Sequence, residues 1–355
     1  MFFSVIIPIY NNSQYIERGF KCLKEQTFKD FEVIMIDDSS TDSSGEICYK
    51  IAQDNSFVKV IHQPNTGAGG ARNAGINAAK GDYLAFFDID DLVDANWLEN
   101  LHNYLIEYRP QMAMWGYIEI NPKLGLKNIY KFDFALYNSN EAFKRDYVQK
   151  YSGIRFNNGF VWNKAFERKF ISDNKIRFEN LRIQQDEVFN LAVYPLVQHV
   201  LVLSDVFYTY YVYYKGNTAS NYIPGRLEIY RRVKDSFLEM QKKWSLDNLE
   251  LEKYIYTRFY NSLLHDLRFN LFHPDNSLTS EERREHLRNV MNDKEIKLII
   301  KWLKGNNAVP CSFLAKSYYR ALESSDLKLF QSTYHTERII NKGKSIIRKF
   351  LKKHV

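Results

Sequence analysis

Apolar and polar positions alternate along this chain with two different periods. Short apolar runs, Ser4 to Ile9, Phe31 to Ile36 and Phe57 to Ile61, are separated by stretches with helical spacing, Ser13 to Gln26, Ser43 to Gln53 and about Gly69 to Ala79. A fourth run, Tyr83 to Phe87, ends in Asp88-Ile89-Asp90-Asp91. This βαβα order predicts an α/β fold: a mostly parallel sheet flanked by helices, with ligands gathering beyond the carboxyl ends of the strands. Those ends carry Tyr10-Asn11, Asp37-Asp38 and the acidic triplet. Ser43 and Glu46 have the spacing of a capping box, which marks a helix start.

From about Met112 the pattern changes to longer strands, loops and aromatics, including Trp115, Trp162 and the tyrosine-dense stretch Phe207 to Tyr214. After Gly216 to Ser220 and Pro224-Gly225 it becomes mostly helical, with Leu227, Tyr230, Val233 and Phe237 at helical spacing, so a boundary is expected near residue 220. The last predicted helix, 337–353, carries Ile339, Ile340, Gly343, Ile346, Ile347, Phe350 and Leu351 on one stripe and seven lysines and arginines elsewhere. A basic amphipathic helix of this type can lie on an anionic membrane surface, or pack on its own domain with a solvated basic face.

Composition narrows the class without choosing a function. At 355 residues the chain exceeds one ordinary domain, and 45% hydrophobic residues support a substantial core. Twenty-five Tyr and twenty-five Phe suit packed interfaces as well as stacking on bases or sugars. Three cysteines, Cys22, Cys48 and Cys311, are too few and too scattered for a disulfide scaffold or a metal knuckle, which fits a reducing cytoplasm. The greasy N-terminus lacks the charged start and cleavage site of a signal peptide and reads as the first strand. No run reaches the roughly 20 apolar residues of a membrane span, so the expected location is cytoplasmic, with peripheral contact at the inner face of the membrane. The net charge of +7 fits nucleic acid, membrane or an anionic substrate equally.

The acidic triplet carries the chemistry. If the fourth run is a buried strand, its period of two places Asp88 and Asp90 on one face and Ile89 on the other, so two carboxylates aim at one point. Hard oxygen ligands in a short acidic cluster suit Mg2+ or Mn2+, ions that keep open positions for substrate phosphates.

Four segments stand in the order and spacing of the family 2 glycosyltransferases: Ser4 to Asn11, Ile36 to Asp42, Asn65 to Gly75 and the acidic triplet. Val161-Trp162-Asn163-Lys164 and Gln185-Asp186-Glu187-Val188-Phe189 resemble the acceptor-side segments of members that build capsular and other surface polysaccharides. The resemblance implies a GT-A fold and inverting transfer from a nucleoside diphosphate sugar, a UDP-sugar, to a glycan or lipid-linked glycan acceptor, with Mn2+ or Mg2+. Residues 1–220 then form the transferase domain, with 1–111 as the nucleotide-sugar half and 112–220 as the acceptor half, and 221–355 a helical C-terminal region.

By the same resemblance the nucleotide sugar is bound by Pro8, Tyr10, Asp37, Asp38, Gly67, Arg72, Asp88 and Ile89, and the metal by Asp88 and Asp90. Asp91 binds the metal indirectly or orients the site. Asp186 is the expected base, with Glu187 as a rival, because Gln185 stands where the family usually has an acidic residue. Trp162 on the acceptor side either stacks on a sugar or fills the core. Ser39 stands where the family has glycine. Other classes fit less well. Gly67-x-Gly69 is followed by Arg72 in place of the third glycine of a dinucleotide fingerprint, and Gly343-Lys344-Ser345 lacks the leading glycine of a phosphate loop. The eight histidines lack zinc spacing, and there is no nucleophile elbow. Nucleic acid is not an expected partner, while a homo-oligomer stays open. The remaining alternatives are a nucleotide-sugar-binding protein without turnover and a membrane-associated scaffold.

Overall fold

The computed structural model describes residues 1–151, 159–213, 221–310 and 312–351, the side chains of 343–351 excepted. Cys311, Tyr214, the stretch Gly216 to Ser220 and the apolar stripe from Gly343 to Leu351 therefore lie outside the described residues or side chains. The chain divides into two compact units, Met1–Ser220 with Asp235–Leu246, and Asn221–Lys234 with Asp247–Val355.

The first unit opens with β1 (Phe3–Ile9), α1 (Ser13–Lys24), β2 (Phe31–Asp37), α2 (Ser44–Asp54), β3 (Val58–His62), α3 (Gly67–Ala78) and β4 (Tyr83–Phe86). It continues through β5 (Leu92–Val93), α4 (Trp97–Tyr108), β6 (Met112–Asn121), β7 (Leu126–Tyr130), β8 (Ala135–Tyr137) and α5 (Asn140–Asp146). It then adds β9 (Lys164–Glu167), α6 (Arg168–Asp173), α7 (Gln185–Val193) and β10 (Val200–Tyr211). Among the described residues the strands form one sheet ordered β3-β2-β1-β4-β9-β6-β10-β5, with β7 on β6 and β8 on β10. β1 pairs in parallel with β2 and β4, β2 with β3, and β6 with β10, while β9 runs antiparallel between β4 and β6. The ends of β1, β2, β4 and β6 therefore open on one edge. Fully buried Val5, Val33, Ala85, Ala113, Trp115 and Leu201 belong to a single apolar cluster that holds this sheet to its helices.

Two local expectations need correction. The capping box at Ser43 does not form, because the Ser43 side chain makes no cap hydrogen bond. Asp42 takes that place, accepting from the Ser44 amide at 2.9 Å and the Ser13 amide at 3.2 Å. Burial alone would raise the Asp42 carboxyl, but these bonds outweigh it and bring it down to about 2. Strand β4 stops at Phe86, so Asp88 and Asp90 stand in a turn, closed by the Asp91 amide on the Asp88 carbonyl at 3.0 Å. The alternation persists in the turn: Phe87, Ile89 and Asp91 are buried, Asp88 and Asp90 partly exposed.

The second unit is helical: α8 (Arg226–Lys243), which begins in it, then α9 (Leu249–His265), α10 (Ser280–Asn292), α11 (Lys294–Gly305), α12 (Phe313–Ser324) and α13 (Leu327–Leu351). Leu263, Leu267, Ile300, Leu303, Leu322 and Phe330 form its core. The terminal helix starts about three turns before the expected residue 337. Ile339 and Ile340 on it are exposed.

Candidate active site

The turn after β4 is pressed against α1. A Cβ on Gly19 would lie 2.2 Å from the Ile89 carbonyl oxygen, so only glycine lets the helix approach this closely. Ile89 itself is buried, which leaves only its main chain able to face a ligand. Arg18 donates to the Asp90 carbonyl and, at 3.1 Å, to the Tyr213 hydroxyl, and its guanidinium lies 5.0 Å from the Tyr211 ring. On the other side the Tyr208 hydroxyl accepts from the Asp88 amide at 3.1 Å and donates to Asp91 at 2.8 Å, and the Tyr211 amide donates to Asp91 at 2.9 Å. Asp91 is thus tied into the protein and orients the turn, while Asp88 and Asp90 face outward.

Arg72, on the second turn of α3 and 3% exposed, joins the two halves of the site. One of its nitrogens donates to Asp88 at 2.8 Å and the other to Asp186 at 2.8 Å, while its Nε is buried without a hydrogen-bond partner. Burial by itself would lower the guanidinium, and the charges of Asp186 and Asp88 more than offset it. Asp186 lies in the first turn of α7, where amide ends favour a carboxylate. Burial nonetheless pushes its carboxyl up, while Arg72 pulls it down. Glu187 sits one residue on, and Gly159 approaches its side chain. Beneath them Lys164 donates to the Phe160 carbonyl at 2.6 Å and Asn163 Oδ1 at 2.9 Å. Burial lowers this ammonium to about 7, against the upward pull of Asp186 and Glu187.

The donor-side residues divide in a way the sequence left open. Asp38 accepts four hydrogen bonds on its two oxygens, from the Gln63 side chain at 2.7 Å, the Thr66 amide and hydroxyl at 2.9 and 3.2 Å, and the Gly67 amide at 2.7 Å. It closes the loop into α3. The amides of Thr66 and Gly67 are therefore committed to a carboxylate. Asp37 accepts from the Ser40 amide at 3.1 Å and pairs with His62 at 2.9 Å. Ser39 between them has φ 63°, a left-handed conformation that accounts for the glycine the family places there. Tyr10 is 49% exposed at the end of β1, beside half-buried Pro8, so its ring is free to cover a base and is not a core residue.

Of the two roles left open for Trp162, the packing favours the core: it is 1% exposed, with the near-parallel rings of Phe160 and Tyr208 at 4.4 and 4.3 Å. No sugar can stack on it in this arrangement; it supports the turn through Tyr208. Sequence reasoning missed Arg18, Gly19 and Tyr208. Only the glycine on the apolar face of an amphipathic helix offered a local signal, since the other two act through contacts distant in sequence.

Burial first, and then the Asp88 charge, raise the Asp90 carboxyl to about 6, so the turn is short of positive charge where hard oxygen ligands stand. Among the described residues no three His, Cys, Asp or Glu side chains converge as a complete cage. Two carboxylates fit an ion whose remaining ligands come from a substrate and water.

Known proteins resemble this chain in sequence and in fold. The family described as glycosyl transferase family 2 matches residues 4–170. Glycosyltransferase GlyG of Streptococcus pneumoniae serotype 4 is 32% identical over 216 residues, covering 58% of this chain and 69% of GlyG. Glycosyltransferase GlyA of the same organism is 28% identical over 210 residues, 58% of this chain but only 30% of the length of GlyA. The crystal structure of S. aureus TarS 1-349 in complex with UDP-GlcNAc shares the fold with a TM-score of 0.64 at 21% identity, covering 95% of this chain and 92% of that one. The sheet with its flanking helices is a GT-A-type fold, and the acidic turn lies at the edge where its parallel strands end. The chain belongs to the family 2 glycosyltransferases and is a glycosyltransferase.

Proposed function

We propose that the protein transfers a sugar from a UDP-sugar to a hydroxyl of a carbohydrate or lipid-linked glycan acceptor, with inversion, in surface polysaccharide synthesis. The observation that carries this reading is Arg72, which holds the strand-end Asp88 and the α7 carboxylate Asp186 at 2.8 Å each and so brings a donor-binding edge and a base into one site. The UDP-GlcNAc complex of TarS, a protein of the same fold, supports the choice of donor.

Residues 1–111 hold the donor and 112–220 the acceptor. Tyr10 covers the base, and Asp37, whose Oδ1 accepts a single hydrogen bond while the oxygens of Asp38 are engaged with the loop, accepts from the pyrimidine imide. Asp88 and Asp90 would hold Mn2+ or Mg2+, which when bound neutralises charge on the departing diphosphate. Arg72 has a permanent charge and a bidentate fork, so an entering diphosphate competes with both carboxylates for it. Asp186 then accepts the acceptor hydroxyl proton as that oxygen bonds to the anomeric carbon and the bond from that carbon to the diphosphate breaks. The stretch 337–353, whose sequence has the pattern of a basic amphipathic helix, contacts an anionic inner membrane surface, where lipid-linked acceptors reside. Among the described residues no helix is long and apolar enough to cross a membrane.

The test is UDP release from a panel of UDP-sugars, with and without Mn2+ and with and without lipid-linked oligosaccharide acceptors. Release that requires both the ion and an acceptor is expected. Acceptor-dependent transfer that proceeds at full rate in a chelator would reject the metal assignment, and transfer from a different nucleotide alone would reject the donor.

A further inference from the structure

The β6–β7 ribbon leaves the core as it leaves the site. Residues 122–129 are all exposed, and among them Leu124, Leu126 and Ile129 are 56%, 51% and 55% exposed. Single exposed leucines are ordinary, but three large apolar side chains within six residues at the tip of a protruding hairpin are not. Lys123, Lys127 and Lys131 are interleaved with them. Glu119, the acid facing them across the ribbon, accepts from Asn128 at 3.1 Å. Strand β9 runs antiparallel to both β4 and β6, so β6 points the same way as β4, and its hairpin tip projects from the edge that carries Asp88 and Asp90.

We propose that this ribbon is a membrane-contact element, with leucines entering the headgroup region of an anionic bilayer and lysines meeting its surface, so that the open edge of the sheet faces lipid-anchored acceptor. The inference deepens the proposed function and rests on its lipid-linked acceptor. Charge complementarity favours a bilayer over a second copy of the chain. Within the described residues β7 pairs only with β6, and Lys127 on β7, with Lys123 before the strand and Lys131 after it, opposes the addition of an identical strand. A soluble polyanion would use the lysines but leaves the apolar tip without a role.

The 355-residue protein is sedimented with vesicles of phosphatidylcholine alone or with one-third phosphatidylglycerol, in parallel with UDP binding by thermal shift. Binding to the anionic vesicles is expected, lowered at least tenfold in L124D/L126D and about fivefold for each lysine reversed or removed in K127E/K131E. UDP binding stays unchanged in both variants, which separates this proposal from the donor site. In I339D/I340D, on the terminal helix, any residual binding must still fall when L124D/L126D is added. Equal vesicle binding by wild type and L124D/L126D, equal binding to neutral vesicles, or a change of oligomeric state in L124D/L126D by size-exclusion chromatography would each overturn it. If L124D/L126D does not fold, K127E/K131E decides the question alone.

Discussion

The interior of the helical unit and the open edge of the sheet both enclose charged side chains, and they treat them differently. In the helical unit Arg231 meets Asp293 at 3.0 Å and also Glu295, which Lys234 shares. Arg268 holds Glu337 through Nε at 2.8 Å and through a second nitrogen, and Tyr318 donates to the same carboxylate at 2.8 Å. Cations there answer anions within each cluster. At the sheet edge three carboxylates follow within four residues, and Arg72 reaches only Asp88 among them. A raised carboxyl alone does not mark the difference, since burial also raises Asp266 in the helical unit, where Asn270 donates to it. What separates the regions is like charge beside like charge: balanced pairs hold a fold together, and an unbalanced cluster is kept for a ligand that completes it.

Breaking each cluster should therefore damage a different property. Asp90→Ala is expected to lower transfer about a thousandfold or more, the scale of several kcal/mol of lost charge stabilisation, without lowering the melting temperature. Turnover near the wild-type rate would show that the acidic turn is not the metal site. Asp186→Asn should reduce kcat by about a hundredfold to ten-thousandfold with UDP affinity retained, as measured by initial rates and calorimetry. If Glu187→Gln has the larger effect, the two carboxylates exchange roles. Glu337→Ala strands Arg268 and should lower stability by about 2–3 kcal/mol in urea unfolding, while the folded fraction keeps its specific activity.

The smallest expected effect is a dependence on pH. The folded-state carboxyl of Asp90 lies at about 6, above its ordinary 3.8, so ionising it is costlier in the folded chain than in the unfolded one. That cost is absent below about pH 4, grows as pH rises toward 6, and persists above it. A bound cation relieves it. The rise in melting temperature produced by Mn2+ with UDP should accordingly be larger at pH 7.5 than at pH 5, and an equal rise at both would separate Asp90 from the ion.

Much of this edge is legible in the sequence. Short, near-continuous apolar runs bounded by polar residues define β1, β2 and β4, because a strand buried on both faces must be apolar along its length and its end must return to water. Carboxylates placed at those ends can only crowd one edge. The division of labour at Asp37-Asp38 was not legible, since both residues have the same chemistry and only the loop from Gln63 to Gly67 shows which one is consumed. Trp162 was ambiguous for a related reason: an indole serves a sugar or a core equally well, and Phe160 and Tyr208 decide for the core.

Local order, strand ends and the acidic character of the edge follow from the sequence by itself, because backbone pairing and apolar periodicity act over a few residues. The meeting of Arg72 with Asp88 and Asp186 joins positions 16 and 114 residues apart, and the support of Asp91 by Tyr208 spans 117. Such contacts depend on how β10 and α7 pack against β6 and α3, which is a property of the whole core and is written in no single segment.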